Sequence, residues 1–180
     1  MPSEIPSQLS KEEVQKLLDG ETLIFSTALE STEGHPVILE LYMLPTSSPR
    51  KWVLVTAIAN QIDIGYVDVE YIPRVNQGSI EGKHFRHSAV YFAPHSDIRT
   101  EFDTQEDGFY VIKSERNRKV GQALFDAARA ILLGMGAYRL LVSHTSQEAE
   151  SFYRRNGGQQ FVNGFYFEYS LQSHDPDEIS

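Results

Sequence analysis

Apolar positions along this chain follow two different periods, and the change from one to the other divides it. Residues 21–72 read as strand-rich, with a period of two over 62–72. Residues 23–29, 37–44, 52–59 and 62–72 are rich in β-branched and aromatic side chains, and they are separated by Glu33-Gly34-His35-Pro36, by the proline-bounded stretch 45–49, and by Asn60-Gln61. This pattern predicts four strands joined as antiparallel hairpins. Within 62–72 apolar and polar residues alternate, so Asp68 and Glu70 share one face with Tyr66 or lie beside it. Ahead of the strands, Ser10-Lys11-Glu12-Glu13 reads as a capping box opening a short helix with Val14, Leu17 and Leu18 on one side and Gly20 as its stop.

The period then lengthens. Val120, Ala123, Leu124, Ala127, Ala128, Ile131 and Leu132 mark one face of a helix, with Gly134 and Gly136 as its stop. The run Phe109-Tyr110-Val111-Ile112 before it reads as a strand, and 138–143 after it reads as a second, buried strand. A strand, crossover helix and strand in this order predicts parallel pairing of those two strands, and parallel strands imply a covered sheet. Thr145-Ser146-Gln147-Glu148 is another capping box, leading to a helix with Ala149, Phe152 and Tyr153 on its apolar side and Gly157-Gly158 at its end. Asn163-Gly164, flanked by Phe161-Val162 and Phe165-Tyr166-Phe167, predicts a closing hairpin. Between 73 and 107 the pattern is weak: 75–83 reads as a loop, 85–93 as a strand and 94–107 as a polar connection. The fold class expected is mixed α/β (α+β): a mostly antiparallel central sheet with one parallel pair and helices on both faces.

Composition narrows the setting. At 180 residues and 41% hydrophobic content the chain fits one domain, taken as 10–172, after a loose arm at 1–9 and before an acidic tail at 173–180. No apolar run approaches the roughly 20 residues of a bilayer span and the N-terminus lacks a signal-peptide pattern, so a cytoplasmic protein without a membrane partner is expected. The absence of cysteine removes disulfides, thiolate metal sites and a cysteine nucleophile. His84, His87 and His95 raise a metal hypothesis, but His84 and His87 would point to opposite faces of a strand and no carboxylate stands at a ligand spacing, so no metal is expected. A net charge of −9 argues against nucleic acid and leaves room for a cationic acceptor, although acidity for solubility alone explains it better.

Against that background the turn after the Phe109 strand reverses sign. Lys113, Arg116, Arg118 and Lys119 place four of the sixteen Lys and Arg residues within 113–119. The first N–H groups of the following helix have no internal partner and carry partial positive charge, so an anion placed there satisfies them. Gly121 leaves the backbone approachable and Ala123 keeps the next position small. The alternative is a solvated charge run at a helix start, where cations are slightly unfavourable unless something anionic binds. The pattern lacks the Gly-Lys-Ser/Thr ending of a nucleotide-binding P-loop and the three glycines of a dinucleotide fingerprint.

Arg118-x-x-Gly121-x-Ala123, directly after a strand and opening a helix, resembles the acyl-CoA pyrophosphate motif of the GNAT superfamily of N-acyltransferases. The order of elements over about 107–171 is similar to the C-terminal half of a GNAT domain, with Ala149-x-x-x-Tyr153-x-x-x-Gly157 on the capped helix. The resemblance implies a GNAT-like fold with the parallel pair flanking the cofactor site, residues 10–106 as the acceptor side, and 107–171 as the acyl-CoA side. It implies acetyl-CoA as cosubstrate, Val111, Ile112 and Lys113 holding pantetheine and thioester, and Arg116, Arg118, Lys119, Val120, Gly121, Gln122 and Ala123 cradling the diphosphate. Ser146 stands where the family often has Asn. Tyr153 matches the tyrosine that protonates the departing thiolate. The chain departs from the pattern in a turn one residue longer than usual, in Lys113 where an apolar residue is common, in Gly158 where an aromatic is usual, and in the strands at 21–72 where the family places a strand and two helices.

The chemistry poses its own demands. A neutral amine attacking a thioester must lose a proton, the developing oxyanion needs donors such as backbone N–H groups, and the sulfur leaves as thiol or thiolate. A phenol near pKa 10 facing a thiol near 8.5 is a weak acid, so Tyr153 would act mainly by position; by composition alone it reads better as a core aromatic, and the Ala149 to Gly157 spacing is what favours the acid role. Asp68, Glu70, Glu106, Asp107 and His144 all qualify as general base, with Glu70 placed first. The expected activity is transfer of acetyl to a small-molecule or peptide amine. The alternatives are a non-catalytic CoA-binding or regulatory module, and a turn that grips another phosphorylated ligand; monomer and homodimer both stay open.

Overall fold

The computed structural model describes residues 2–45, 47–80, 108–143, 147–161 and 166–171. The expected strand at 85–93, the connections around it, His84, His87, His95, Glu106, Asp107, His144, Ser146, the Asn163-Gly164 turn and the tail lie outside them. The described elements run α1 (Lys11–Leu18), β1 (Leu23–Glu30), β2 (Pro36–Met43), β3 (Lys51–Ala59), β4 (Ile62–Ile72), β5 (Gln77–Ile80), β6 (Phe109–Val111), α2 (Val120–Met135), β7 (Arg139–Ser143), α3 (Gln147–Arg155), β8 (Gln159–Phe161) and β9 (Tyr166–Ser170).

The four predicted hairpin strands form an antiparallel meander in the order β1-β2-β3-β4. Asn60 and Gln61 sit at φ 51° and 63° between paired Ala59 and Ile62, the double positive φ that matches a two-residue loop to strand twist. At α1 the capping box forms in full: Glu13 N–H donates to Ser10 Oγ at 3.1 Å and Ser10 N–H to Glu13 Oε1 at 2.9 Å.

The sheet continues β4-β5-β7-β9-β8, mostly antiparallel with one parallel pair. That pair differs from expectation. β7 runs parallel to β5, Gln77 opposite Arg139 and Ile80 opposite Val142, whereas β6 pairs with β4. Gln77-Gly78-Ser79-Ile80, read as loop, is therefore a strand; it is too short and too polar to show a period, and its two neighbours impose its extended form. β3 fills one edge of β4 and the other edge is shared: Glu70–Ile72 pair with β5 and Gly65–Val67 with β6, both antiparallel. β5 and β6 thus lie end to end along one rail, and only the β5 half carries β7.

Leu124 of α2 faces the sheet at Gly65, where an added Cβ would come within 3.1 Å of Leu124 Cδ1. Strand parity places Val67, Val69 and Tyr71 on that same face, above Val120, Leu124, Phe125, Ala127, Ala128, Ile131 and Leu132 of the helix, all buried. Each large apolar side chain so covered contributes about 1.5–3 kcal/mol. The opposite face, with Leu54, Thr56, Tyr66, Asp68 and Glu70, is buried as well. Gly134 does not stop α2. It lies inside the helix, where Leu9 and, from α1, Val14 pack so closely that a Cβ would stand 2.8 Å from the Leu9 carbonyl oxygen; Gly136, at φ 91°, is the terminator. Among the described residues no helix is long and apolar enough to cross a membrane.

Candidate active site

β6 runs into a single 3-10 turn at Lys113–Glu115 and then into a loop of alternating backbone hand. Asn117 and Lys119 adopt φ 64° and 68°, while Arg118 between them does not. Such alternation turns successive N–H groups toward one side, a backbone concavity suited to anions. Ala123 N–H makes the helical bond to Lys119 O at 3.0 Å. The amides of Val120, Gly121 and Gln122 therefore precede the helical ladder, Lys119 supplies no side-chain cap, and the first turn holds no acidic residue. Val120 itself is buried, so what it offers a ligand is its amide alone.

The side chains around these amides are arranged by specific contacts. Lys113, Arg116, Arg118 and Lys119 are all exposed. Arg116 folds back along β6, its Nε donating to the Val111 carbonyl at 3.0 Å and its guanidinium lying 5.1 Å from the Tyr110 ring centre. Arg118 reaches the other way, Nη2 donating to Ser31 O at 3.3 Å in the β1–β2 turn. Thr32 of that turn donates its N–H to both Glu115 carboxylate oxygens at 2.9 and 3.2 Å and its hydroxyl to Ser114 O at 2.9 Å. Gln122 Nε2 donates to Asn156 Oδ1 at 2.7 Å and Asp126 Oδ1 at 3.0 Å, tying the start of α2 to the end of α3. A Cβ on Gly121 would have the rings of Phe109 and Phe152 as its nearest neighbours, at 3.7–3.8 Å, which is ordinary contact, so the protein's own packing leaves room there.

The edge of β6 away from β4 completes the cleft. Gly108 O accepts from Asp68 N–H and Ile112 N–H donates to Ile64 O, which puts the backbone groups of 108, 110 and 112 toward β4. By the alternation of an antiparallel ladder, Phe109 and Val111 turn their N–H and C=O groups outward, where no described strand covers them. Arg116 takes the Val111 carbonyl at 3.0 Å, so the N–H groups of Phe109 and Val111 are the donors on that edge.

Tyr153 joins this group. It is 4% exposed, its ring centre 6.4 Å from Phe109, 6.1 Å from Phe125 and 5.5 Å from Phe152. Its carbonyl accepts the Tyr169 hydroxyl at 2.6 Å and the Gly158 N–H at 3.0 Å. The absence of an aromatic at 158 has its reason here: a Cβ would stand 2.7 Å from the Tyr169 hydroxyl, so Tyr169 occupies the space. Burial pushes the Tyr169 phenol far above its usual range, against a smaller lowering by Arg129, and burial with Tyr138 nearby raises Tyr71. A phenol whose folded pKa is raised stabilises the fold fully below about pH 10, and that stability is lost as pH climbs through the folded value. The melting temperature should accordingly fall steeply above about pH 10, and less steeply in Tyr169→Phe; equal slopes in the two proteins would refute the assignment.

Glu70 stands apart. It lies an odd number of residues from Val67, which pairs with Phe109, so it projects from the face opposite the α2 cleft. Its carboxylate is buried and ion-paired with Arg50 at 3.1 Å. The loop amides, Val111, Gly121 and Tyr153 are thus brought together, while Glu70 lies on the far side of the sheet. Sequence reasoning passed over Thr32, Glu115 and Asn156. A capping-type motif or a period marks none of them, since each acts across a long sequence separation.

Comparison with known proteins adds an independent line. A family model described as "Acetyltransferase (GNAT) family" matches residues 52–158. No curated protein matches the sequence significantly. Among solved structures, an acetyltransferase of the GNAT family from Staphylococcus aureus Mu50 is similar in fold at a TM-score of 0.50 and 16% identity, over 67% of this chain and 68% of that one. PaiA N-acetyltransferase from Thermoplasma acidophilum, in complex with coenzyme A, gives 0.45 at 16% identity, over 65% of this chain and 59% of that one. Nourseothricin acetyltransferase gives 0.48 at 17% identity, over 83% and 88%.

Proposed function

The chain belongs to the acetyltransferase (GNAT) family, and from that premise we propose that it transfers acetyl from acetyl-CoA to an amine by direct attack on the thioester. One observation carries the reading. Three helix-start amides without helical partners, framed by four exposed cations in a chain of net charge −9, open onto the outward edge of β6. Such a surface suits a diphosphate with a thioester arm.

The residues present fit the coenzyme. The amides of Val120, Gly121 and Gln122, with Arg118 and Lys119 beside them, would hold the diphosphate, and the Val111 N–H would orient the pantetheine arm and polarise the acetyl carbonyl. Acetyl-CoA supplies the activated acyl group. Tyr153 gives its phenolic proton to the departing sulfur, and Glu70, held by Arg50, takes a proton from the incoming ammonium through water on the far side of the sheet. The acceptor is a small-molecule or peptide amine, and the proposal places the enzyme in the cytoplasm.

Calorimetry with acetyl-CoA, combined with thiol release on offering a panel of small amines, peptides and aminoglycosides, tests this. Saturable binding, competed by CoA but not by ATP, together with release on at least one amine, is expected. Binding without release would leave a non-catalytic CoA-binding module, and competition by ATP would redirect the cradle to another phosphorylated ligand.

A further inference from the structure

The cradle loop contains an acidic residue in an unexpected place. Glu115 directly precedes the cationic stretch meant for an anion, yet it is 6% exposed and both its oxygens accept the Thr32 N–H. Two more contacts join the same two segments: Thr32 Oγ1 to Ser114 O, and Arg118 to Ser31 O. The β1–β2 turn that supplies them is braced internally, by Ser31 N–H to His35 O at 2.8 Å, Gly34 N–H to Ser31 O at 2.9 Å, and His35 N–H to Ser31 Oγ at 3.1 Å.

We infer that the β1–β2 turn is a positioning bracket for the coenzyme loop, with Glu115 as its grip. The inference rests on the acetyl-CoA reading above and assigns a role outside the binding residues themselves. The physical need is clear. Asn117 and Lys119 hold left-handed backbone, which costs energy for residues with a Cβ and persists only where the surroundings impose it. The helix-start amides aim at a common point only while those two residues keep their conformation. Hydrogen bonds to a carboxylate are about twice as strong as neutral ones, and this one joins residues 83 apart, so the loop is referenced to the sheet rather than to its own neighbours. The same bonds turn the Glu115 charge into the protein and away from an arriving diphosphate.

Glu115→Ala should raise the Kd and KM for acetyl-CoA about tenfold, the scale of one lost charged hydrogen bond, with kcat within about twofold of wild type. Glu115→Gln, which keeps an acceptor, should recover most of the affinity. Thr32→Val, which keeps the backbone donor and removes the hydroxyl, should cost about threefold and carries the test if the alanine variant does not fold. A wild-type protein that binds acetyl-CoA beside variants that bind it equally well would overturn the bracket alone. Loss of kcat in step with affinity and melting temperature would overturn it too, in favour of a general fold contact. Failure of the wild type to bind would overturn this inference together with the functional reading.

Discussion

Tyr153→Phe is expected to lower kcat for acetyl transfer about a hundredfold while the Kd for coenzyme A stays within about twofold, the signature of a lost proton donor. The substitution is a clean one. The Tyr153 ring is packed against Phe109, Phe125 and Phe152, and phenylalanine preserves those contacts. The α3 end is fixed through the Tyr153 carbonyl, which the variant retains. Only the hydroxyl changes. Steady-state kinetics with a saturating amine, beside calorimetry for coenzyme A, read the two quantities separately. A kcat equal to wild type would reduce Tyr153 to a core aromatic.

Gly121→Leu should weaken coenzyme A binding by about a hundredfold or more, as a branched side chain takes the slot a ligand would use. The free protein should not suffer in proportion. A Cβ at 121 makes only ordinary contact with Phe109 and Phe152, and replacing Gly by Ala within a helix favours the helix by about 0.5–1 kcal/mol. Gly121→Ala is therefore expected to melt no lower than wild type without ligand, which separates binding from folding. Unchanged affinity in Gly121→Leu would show that nothing approaches the backbone there.

The elements that could be read from the chain alone are those whose stability is local or periodic. β1 to β4 are runs of eight to eleven residues rich in β-branched and aromatic side chains, punctuated by residues that accept turn geometry, so their bounds follow from the pattern to within a residue. α2 was legible from its apolar stripe, and α1 from its capping box. β5 was not, because four residues carry no period and their strand form comes from β4 and β7. The parallel pair was expected between β6 and β7 for the same reason: without β5 in view, β6 is the nearest strand before the crossover. Gly134 looked like a stop because sequence does not reveal Leu9 lying against it. At the candidate site, motif spacing singled out the loop and Tyr153, which the fold does bring close to Phe109, whereas the Thr32 and Asn156 contacts belong to tertiary structure and leave no trace in spacing. The position of Glu70 shows the limit of pattern: alternation fixed which residues share its face, but not which face meets α2.

The shared edge of β4 bears on how such a protein can change. Since β5 and β6 are both anchored on that one strand, β4 sets the register of each. A change that displaced β4 would carry both halves of the rail with it, so the substitutions tolerated along that strand are those that keep both registers at once.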